Sequence, residues 1–143
     1  MPPAAYAPRL VNFVTENIVL IVIAFASGAM LLWPAIQRRT SGPSLDTLAA
    51  TRLINDAHAV VLDIRESTEF ATGHLPNARN IPMGELATRA AELPAGKPVI
   101  VCCATGNRST GAAGTLRKAG RDQVFNLAGG LQAWRQAGLP VVK

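Results

Sequence analysis

The sequence predicts an α/β domain, a parallel sheet flanked by helices on both faces, preceded by one N-terminal transmembrane helix. Three observations carry this prediction. Residues 18–36 form an uncharged, apolar run of nineteen residues. Beyond it, short β-branched runs at 59–63, 98–102 and 124–127 alternate with stretches of helical spacing. That is the pattern of strand–helix units whose sheet is buried on both faces. Finally, Cys103 follows directly on the run Val99-Ile100-Val101-Cys102, at the strand end where such sheets open their functional crevice.

The apolar run comes first in the chain. As a helix it is roughly 29 Å long, close to the hydrocarbon thickness of a bilayer. Tyr6 and Phe13 precede it, and Trp33 lies near its far end, where an interfacial aromatic is expected. Arg38 and Arg39 follow at once and Arg52 a little later, whereas the upstream side offers only Arg9 beside Glu16. The arginine bias predicts one span over about residues 17–37, N-terminus out and C-terminal domain in the cytoplasm. Two alternatives compete with a membrane span. Ala24-Phe25-Ala26 has the form of a signal-peptide cleavage site, but apolar residues continue for ten positions past it and the basic flank is on the wrong side. A buried core helix would also be apolar all round. Pro34 is expected to loosen the last turn. Ala24 and Gly28 form a small-xxx-small pair of the kind that packs helices together.

Residues 38–44 are polar with Gly and Pro and read as a linker, which places the domains at 1–43 and 44–143. Asp46 caps a helix to about residue 55, with Leu48, Leu53 and Ile54 facing inward. Residues 59–63 form a buried strand. Ser67 caps a short helical turn carrying Phe70. Residues 78–81 form a short strand ended by Pro82, and 84–93 a helix. Residues 98–102 are the strand that feeds the cysteine. Residues 109–119 form a helix stopped by Gly120, 124–127 a last strand, and 131–137 a last helix closed by Gly138.

Composition narrows the function classes. The net charge is +5, and residues 44–143 carry eleven bases against eight acids. No basic run or aromatic platform points to nucleic acid. The two cysteines are adjacent, and successive strand residues point to opposite faces, so they do not form an ordinary disulfide. That argues against a disulfide-stapled secreted fold and for a reducing compartment.

Cys103-Ala104-Thr105-Gly106-Asn107-Arg108 carries the chemistry. A small-residue loop between a strand and a helix turns its N–H groups inward, and the helix dipole adds positive potential. A thiol placed there has a lowered pKa and more thiolate. Cys103 therefore reads as a nucleophile facing an anionic substrate or intermediate, and Cys102 as a buried structural residue.

Around this loop the sequence resembles the single-domain rhodaneses. Leu62-Asp63-Ile64-Arg65-Glu66 matches the family's Asp-x-Arg segment. Phe70-Ala71-Thr72-Gly73-His74-Leu75-Pro76, with the later Asn80-Ile81-Pro82, matches its glycine-histidine-x-proline segment. The cysteine loop follows, and Asn126-Leu127-Ala128-Gly129-Gly130-Leu131-Gln132-Ala133-Trp134 matches the closing segment. The resemblance covers about residues 44–142, and the apolar anchor is similar to that of membrane-tethered bacterial members, which implies the inner membrane.

The resemblance implies a sulfurtransferase with a rhodanese-like parallel sheet. Cys103 would take sulfane sulfur from a donor such as thiosulfate, hold it as a persulfide, and pass it to cyanide or a protein thiol. The loop residues Ala104, Thr105, Gly106, Asn107 and Arg108 would bind the persulfide, with Asp63 and Arg65 in support. No metal or organic cofactor is implied. Partners would be a small sulfur donor or a protein persulfide, together with a membrane-protein partner. Four residues separate Cys103 from Arg108, against five in the related phosphatases and arsenate reductases, and the shorter loop favours sulfur over phosphate.

The remaining polar residues read as follows. Arg108 stiffens the loop by pairing with an acid, or else positions the donor's anionic group. Asp63 bonds loop N–H groups or an arginine. Arg65 lines the pocket mouth or is a solvated surface arginine. His74 is structural, His58 superficial and Trp134 core. Where the family often has a basic or long polar residue just after the cysteine, this chain has Ala104, which predicts a less positive mouth. The alternative function is a tethered docking module without turnover. A redox pair of Cys102 with Cys103 is disfavoured by the strain of a vicinal disulfide.

Overall fold

The computed structural model describes residues 6–143, with the side chains of Tyr6 and Ala7 and of residues 37–41 outside the description. Tyr6, Arg38 and Arg39, which the membrane reading uses, thus have side chains beyond what is described. The chain divides into two compact units, Met1–Arg39 and Thr40–Lys143.

In the first unit, helix α1 (Tyr6–Glu16) leads into α2 (Ile18–Ser41). The backbone ladder continues through Asn17, whose N–H donates to Phe13 O and whose carbonyl accepts from Ile21 N. Helix over residues 6–16 was not expected from the sequence. Pro34 sits inside α2 without ending it. Ile18–Ile36 is long and apolar enough to cross a membrane, with a mean hydropathy of 2.3 and none of it buried within the chain.

The second unit is a five-stranded, wholly parallel sheet in the order β1-β5-β4-β2-β3. The strands are β1 (Ser44–Leu45), β2 (Val60–Asp63), β3 (Arg79–Asn80), β4 (Val99–Cys102) and β5 (Val124–Leu127). The helices are α3 (Thr47–Ala57), α4 (Ser67–Ala71), α5 (Leu86–Arg89), α6 (Asn107–Lys118) and α7 (Gly130–Gln136). Period-two burial splits the core between the two faces. Val99, Val101 and Cys103 pack with Ala112, Ala113 and Leu116 of α6. Ile100 and Cys102 pack with Ala50 of α3 and with Leu131 and Trp134 of α7.

Local chemistry fixes the element ends. Asp46 caps α3 by accepting from Ala49 N at 2.7 Å, and His58, in the left-handed region, ends it. Four details differ from the sequence reading. Leu48 is 60% exposed, because the inward face of α3 runs through Ala50, Leu53 and Ile54, and Leu48 lies two residues off it. Glu66 rather than Ser67 precedes α4, and its N–H donates to Glu69 Oε2. The segment read as one helix over 84–93 is one turn of α-helix between two 3-10 turns. Here the Arg121 guanidinium takes up the carbonyls of Ala90, Leu93 and Pro94. Finally, Ser44, the last residue read as linker, is the first of the edge strand β1.

Candidate active site at the end of β4

β2 leads on to β3 on one side of the sheet, while β4 leads to β5 on the other. The crevice between β2 and β4 is therefore the switch point where α/β sheets bind ligands. Asp63 pairs in register with Cys102, so the ends of both strands meet there. Cys103 is the first residue beyond β4, and α6 starts four residues later.

The thiol is enclosed by donors. Gly106 N–H donates to Cys103 Sγ at 3.0 Å and Ser109 Oγ at 3.3 Å. Gly106 adopts φ +91°, which turns its amide toward the sulfur, and a Cβ there would meet Gly129 N at 3.0 Å. Burial alone would raise the Cys103 pKa. It is outweighed by the Ser109 hydroxyl and the amides of Ser109, Thr105 and Gly106, and the pKa lies below the ordinary thiol value. One residue away, burial and the neighbouring Asp63 push the Cys102 thiol up. Cys102 points to the opposite face and donates to the Cys103 carbonyl. Adjacent thiols thus have opposite electrostatics because strand geometry turns them to opposite sides.

The loop is fixed from three directions. Arg108 pairs with Glu69 through both terminal nitrogens, at 3.0 and 3.1 Å. Its acid partner therefore comes from α4 rather than from Asp63. Asp63, fully buried, receives Arg65 N and Nε on Oδ1 and Arg65 Nη2 on Oδ2 at 2.6 Å. Arg65 is 3% exposed and donates further to Glu69 O and Gly73 O. It is an internal staple and not a solvated arginine. From the other side, α7 closes on the loop, with Leu131 N donating to Cys103 O and Gln132 N to Ala104 O. Gly130 makes this approach possible, since a Cβ there would overlap Cys103 O. Ala104 is half-buried, while Thr105, Asn107 and Arg108 are exposed.

Ser109 and Asn126 are the polar residues that sequence reasoning missed. Ser109 Oγ lies 2.5 Å from Asn126 Oδ1, while Asn126 Nδ2 donates to Gly106 O and Thr110 Oγ1. Glu69 was missed as well. His74 stacks on Phe70 and bonds its carbonyl, outside the thiol's surroundings. Trp134 is core and donates to Pro140 O. Among the described residues no group of three His, Cys, Asp or Glu side chains could hold a metal ion.

A fully covered parallel sheet, with a thiol cradled by loop amides at the C-terminal end of its central strand, defines a class of cysteine-centred α/β domains. Within that class the chain belongs to the rhodanese-like domain family, whose model matches residues 47–137. It is 45% identical over 76 residues to YqhL of Bacillus subtilis, covering 53% of this chain and 60% of that one. It is 37% identical over 91 residues to a protein named sulfurtransferase from Allochromatium vinosum, covering 64% and 85%. YibN of Escherichia coli K12 is 34% identical over 139 residues, covering 94% of this chain and 97% of its own. The crystal structure of a rhodanese-related protein from Thermoplasma volcanium superposes with a TM-score of 0.65 at 36% identity, covering 70% of this chain and 97% of that one.

Proposed function

We propose that the protein is a sulfurtransferase whose carrier is Cys103. The observation that carries this reading is the thiol with a lowered pKa, bonded by the Gly106 amide and the Ser109 hydroxyl. Membership of the rhodanese-like family and the Allochromatium relative's name support it. In the first half-reaction the Cys103 thiolate attacks the outer sulfur of thiosulfate. The S–S bond breaks, sulfite leaves with the electron pair, and a Cys103 persulfide remains. In the second, cyanide or an acceptor thiolate attacks the outer sulfur and Cys103 leaves as thiolate, so both steps balance without an external oxidant. The loop amides stabilise the negative sulfur in each state. We further propose that Ile18–Ile36 anchors the domain in the inner membrane with the site on the cytoplasmic side.

The test is intact-mass analysis of the full chain in detergent after thiosulfate treatment, beside Cys103→Ser. A gain of one sulfur atom on the wild type alone, removed by cyanide, is expected. No adduct from thiosulfate or any other sulfane donor would overturn the reading in favour of a docking module.

A further inference from the structure

A cleft of ≈ 330 Å³ opens beside the cysteine loop, lined by Ala104 and Thr105 on one wall and by Gln132, Arg135 and Gln136 of α7 on the other, with Arg65 between. No carboxylate lines it. The guanidiniums of two of its lining residues converge at Gly73. Arg65 Nη2 donates to Gly73 O at 2.8 Å, and a Cβ on Gly73 would lie only 2.9 Å from Arg135 Nη2. Asp63 pairs with Arg65, which takes both its oxygens. Arg135 has no ion pair or side-chain hydrogen bond among the described residues. On the far side of the loop Arg108 is occupied by Glu69, and position 104 carries no charge. The uncompensated positive charge lining the cleft beside the cysteine loop therefore lies on α7.

We propose that this cleft is an oxyanion subsite, in which Arg135, assisted by the Gln132 amide, receives the sulfonate or carboxylate of a molecule reacting at Cys103. The proposal rests on the sulfur-carrier reading for its biological use, but the subsite itself does not. Its volume is about ten times the ~30 Å³ that one water occupies in the liquid, room for an oxyanion and part of its carrier. Arg135 acts by charge at the mouth, so its effect is selective for anions and screened by salt. It replaces from the helix side the positive group that Ala104 does not provide.

Alkylation of Cys103 in the full chain tests the site without sulfur chemistry. Iodoacetate and iodoacetamide differ in charge and react by the same displacement of iodide. The iodoacetate-to-iodoacetamide rate ratio, read at Cys103 by peptide mass, should fall about threefold in Arg135→Gln. It should fall further in Arg135→Glu and be largely retained in Arg135→Lys. In 0.5 M salt the wild-type ratio should approach that of Arg135→Gln, by a Debye length of roughly 4 Å. The source of the oxyanion is read in parallel. If it is the donor's, Arg135→Gln raises the half-saturating thiosulfate concentration for persulfide loading but not that of uncharged diallyl trisulfide, whose allyl group stays on Cys103 as a mixed disulfide while allyl persulfide leaves. If it is the acceptor's, the variant slows unloading to 3-mercaptopropionate relative to 2-mercaptoethanol. Failure of every donor to load the wild type overturns the sulfur-carrier reading and leaves the alkylation ratio to decide the subsite. An alkylation ratio unchanged across all three variants overturns the subsite.

Discussion

At the scale of single residues, Ser109 has one proton and two acceptors. Asn126 Oδ1 lies at 2.5 Å and Cys103 Sγ at 3.3 Å. With Cys103 as thiolate the charged sulfur draws that proton, and in the persulfide the charge moves to the outer sulfur. Ser109→Ala removes a hydrogen bond to a charged group, so alkylation of Cys103 by iodoacetamide at pH 7 should slow by about tenfold and its pH profile should shift upward. An unshifted profile would remove Ser109 from the account. Arg65 gives a stability prediction of another kind. Arg65→Met strands a carboxylate in a fully buried site, and urea unfolding should show a loss of about 3–5 kcal/mol. Glu69 is held below the usual carboxylate range, chiefly by its hydrogen bonds from Arg108. A depressed pKa contributes stability above the ordinary carboxylate pKa that is lost as pH falls through the depressed one. The pair is exposed, so the effect is small. Melting temperatures of wild type and Glu69→Gln should differ near neutrality and converge in acid. Cys103 and its loop were legible in the sequence because a strand, a thiol and a small-residue turn are contiguous. Glu69 and Asn126 were not, since they lie 39 residues from Arg108 and 17 from Ser109 and arrive only through the parallel crossovers.

At the scale of elements, the site is a strand end held against the start of another helix. α7 bonds the carbonyls of Cys103 and Ala104 through the amides of Leu131 and Gln132, at 2.8 and 3.0 Å. Gly130, at φ +56°, is where the two backbones touch, and an added Cβ would fall 2.8 Å from Gly106 N. Gly138 also has positive φ (+70°), but nothing lies near its absent side chain. Gly138→Ala should therefore cost backbone strain alone, about 1–2 kcal/mol. Gly130→Ala adds overpacking of about 1–3 kcal/mol, and it alone of the two should change the alkylation rate of Cys103. Equal effects would mean that α7 does not hold the loop. Element type was legible where the sequence holds a largely apolar run, as in β2, β4 and β5, or a helical period, as in α3 and α6. β3, within the strand read at 78–81, was legible from the proline that ends it, whereas β1 has two residues, too few for a period. The segment over 84–93 is shaped by Arg121, whose guanidinium caps its carbonyls from a distant part of the chain.

At the scale of the whole molecule, two sequence features bear on where the site works. The span candidate Ile18–Ile36 has Arg38, Arg39 and Arg52 after it and Arg9 offset by Glu16 before it. Translocation disfavours the more basic flank, so the 44–143 domain is expected on the cytoplasmic side. The proposed chemistry favours the same side, because a carrier thiol must stay reduced between cycles. The proposed tether would concentrate the carrier in a thin layer, raising its effective concentration toward any membrane-bound acceptor. The topology is read by placing a cysteine at the C-terminus, Lys143→Cys, and labelling spheroplasts with an impermeant maleimide. Labelling should appear only after the membrane is opened, and reaction in intact spheroplasts would reverse the orientation. Alkaline carbonate should leave the chain in the membrane fraction, and its intact mass should include residues 1–26. A chain released by carbonate and beginning after Ala26 would instead make the apolar run a cleaved signal and put the domain on the oxidising side. There Cys103 would need a dedicated reductant to remain a thiolate.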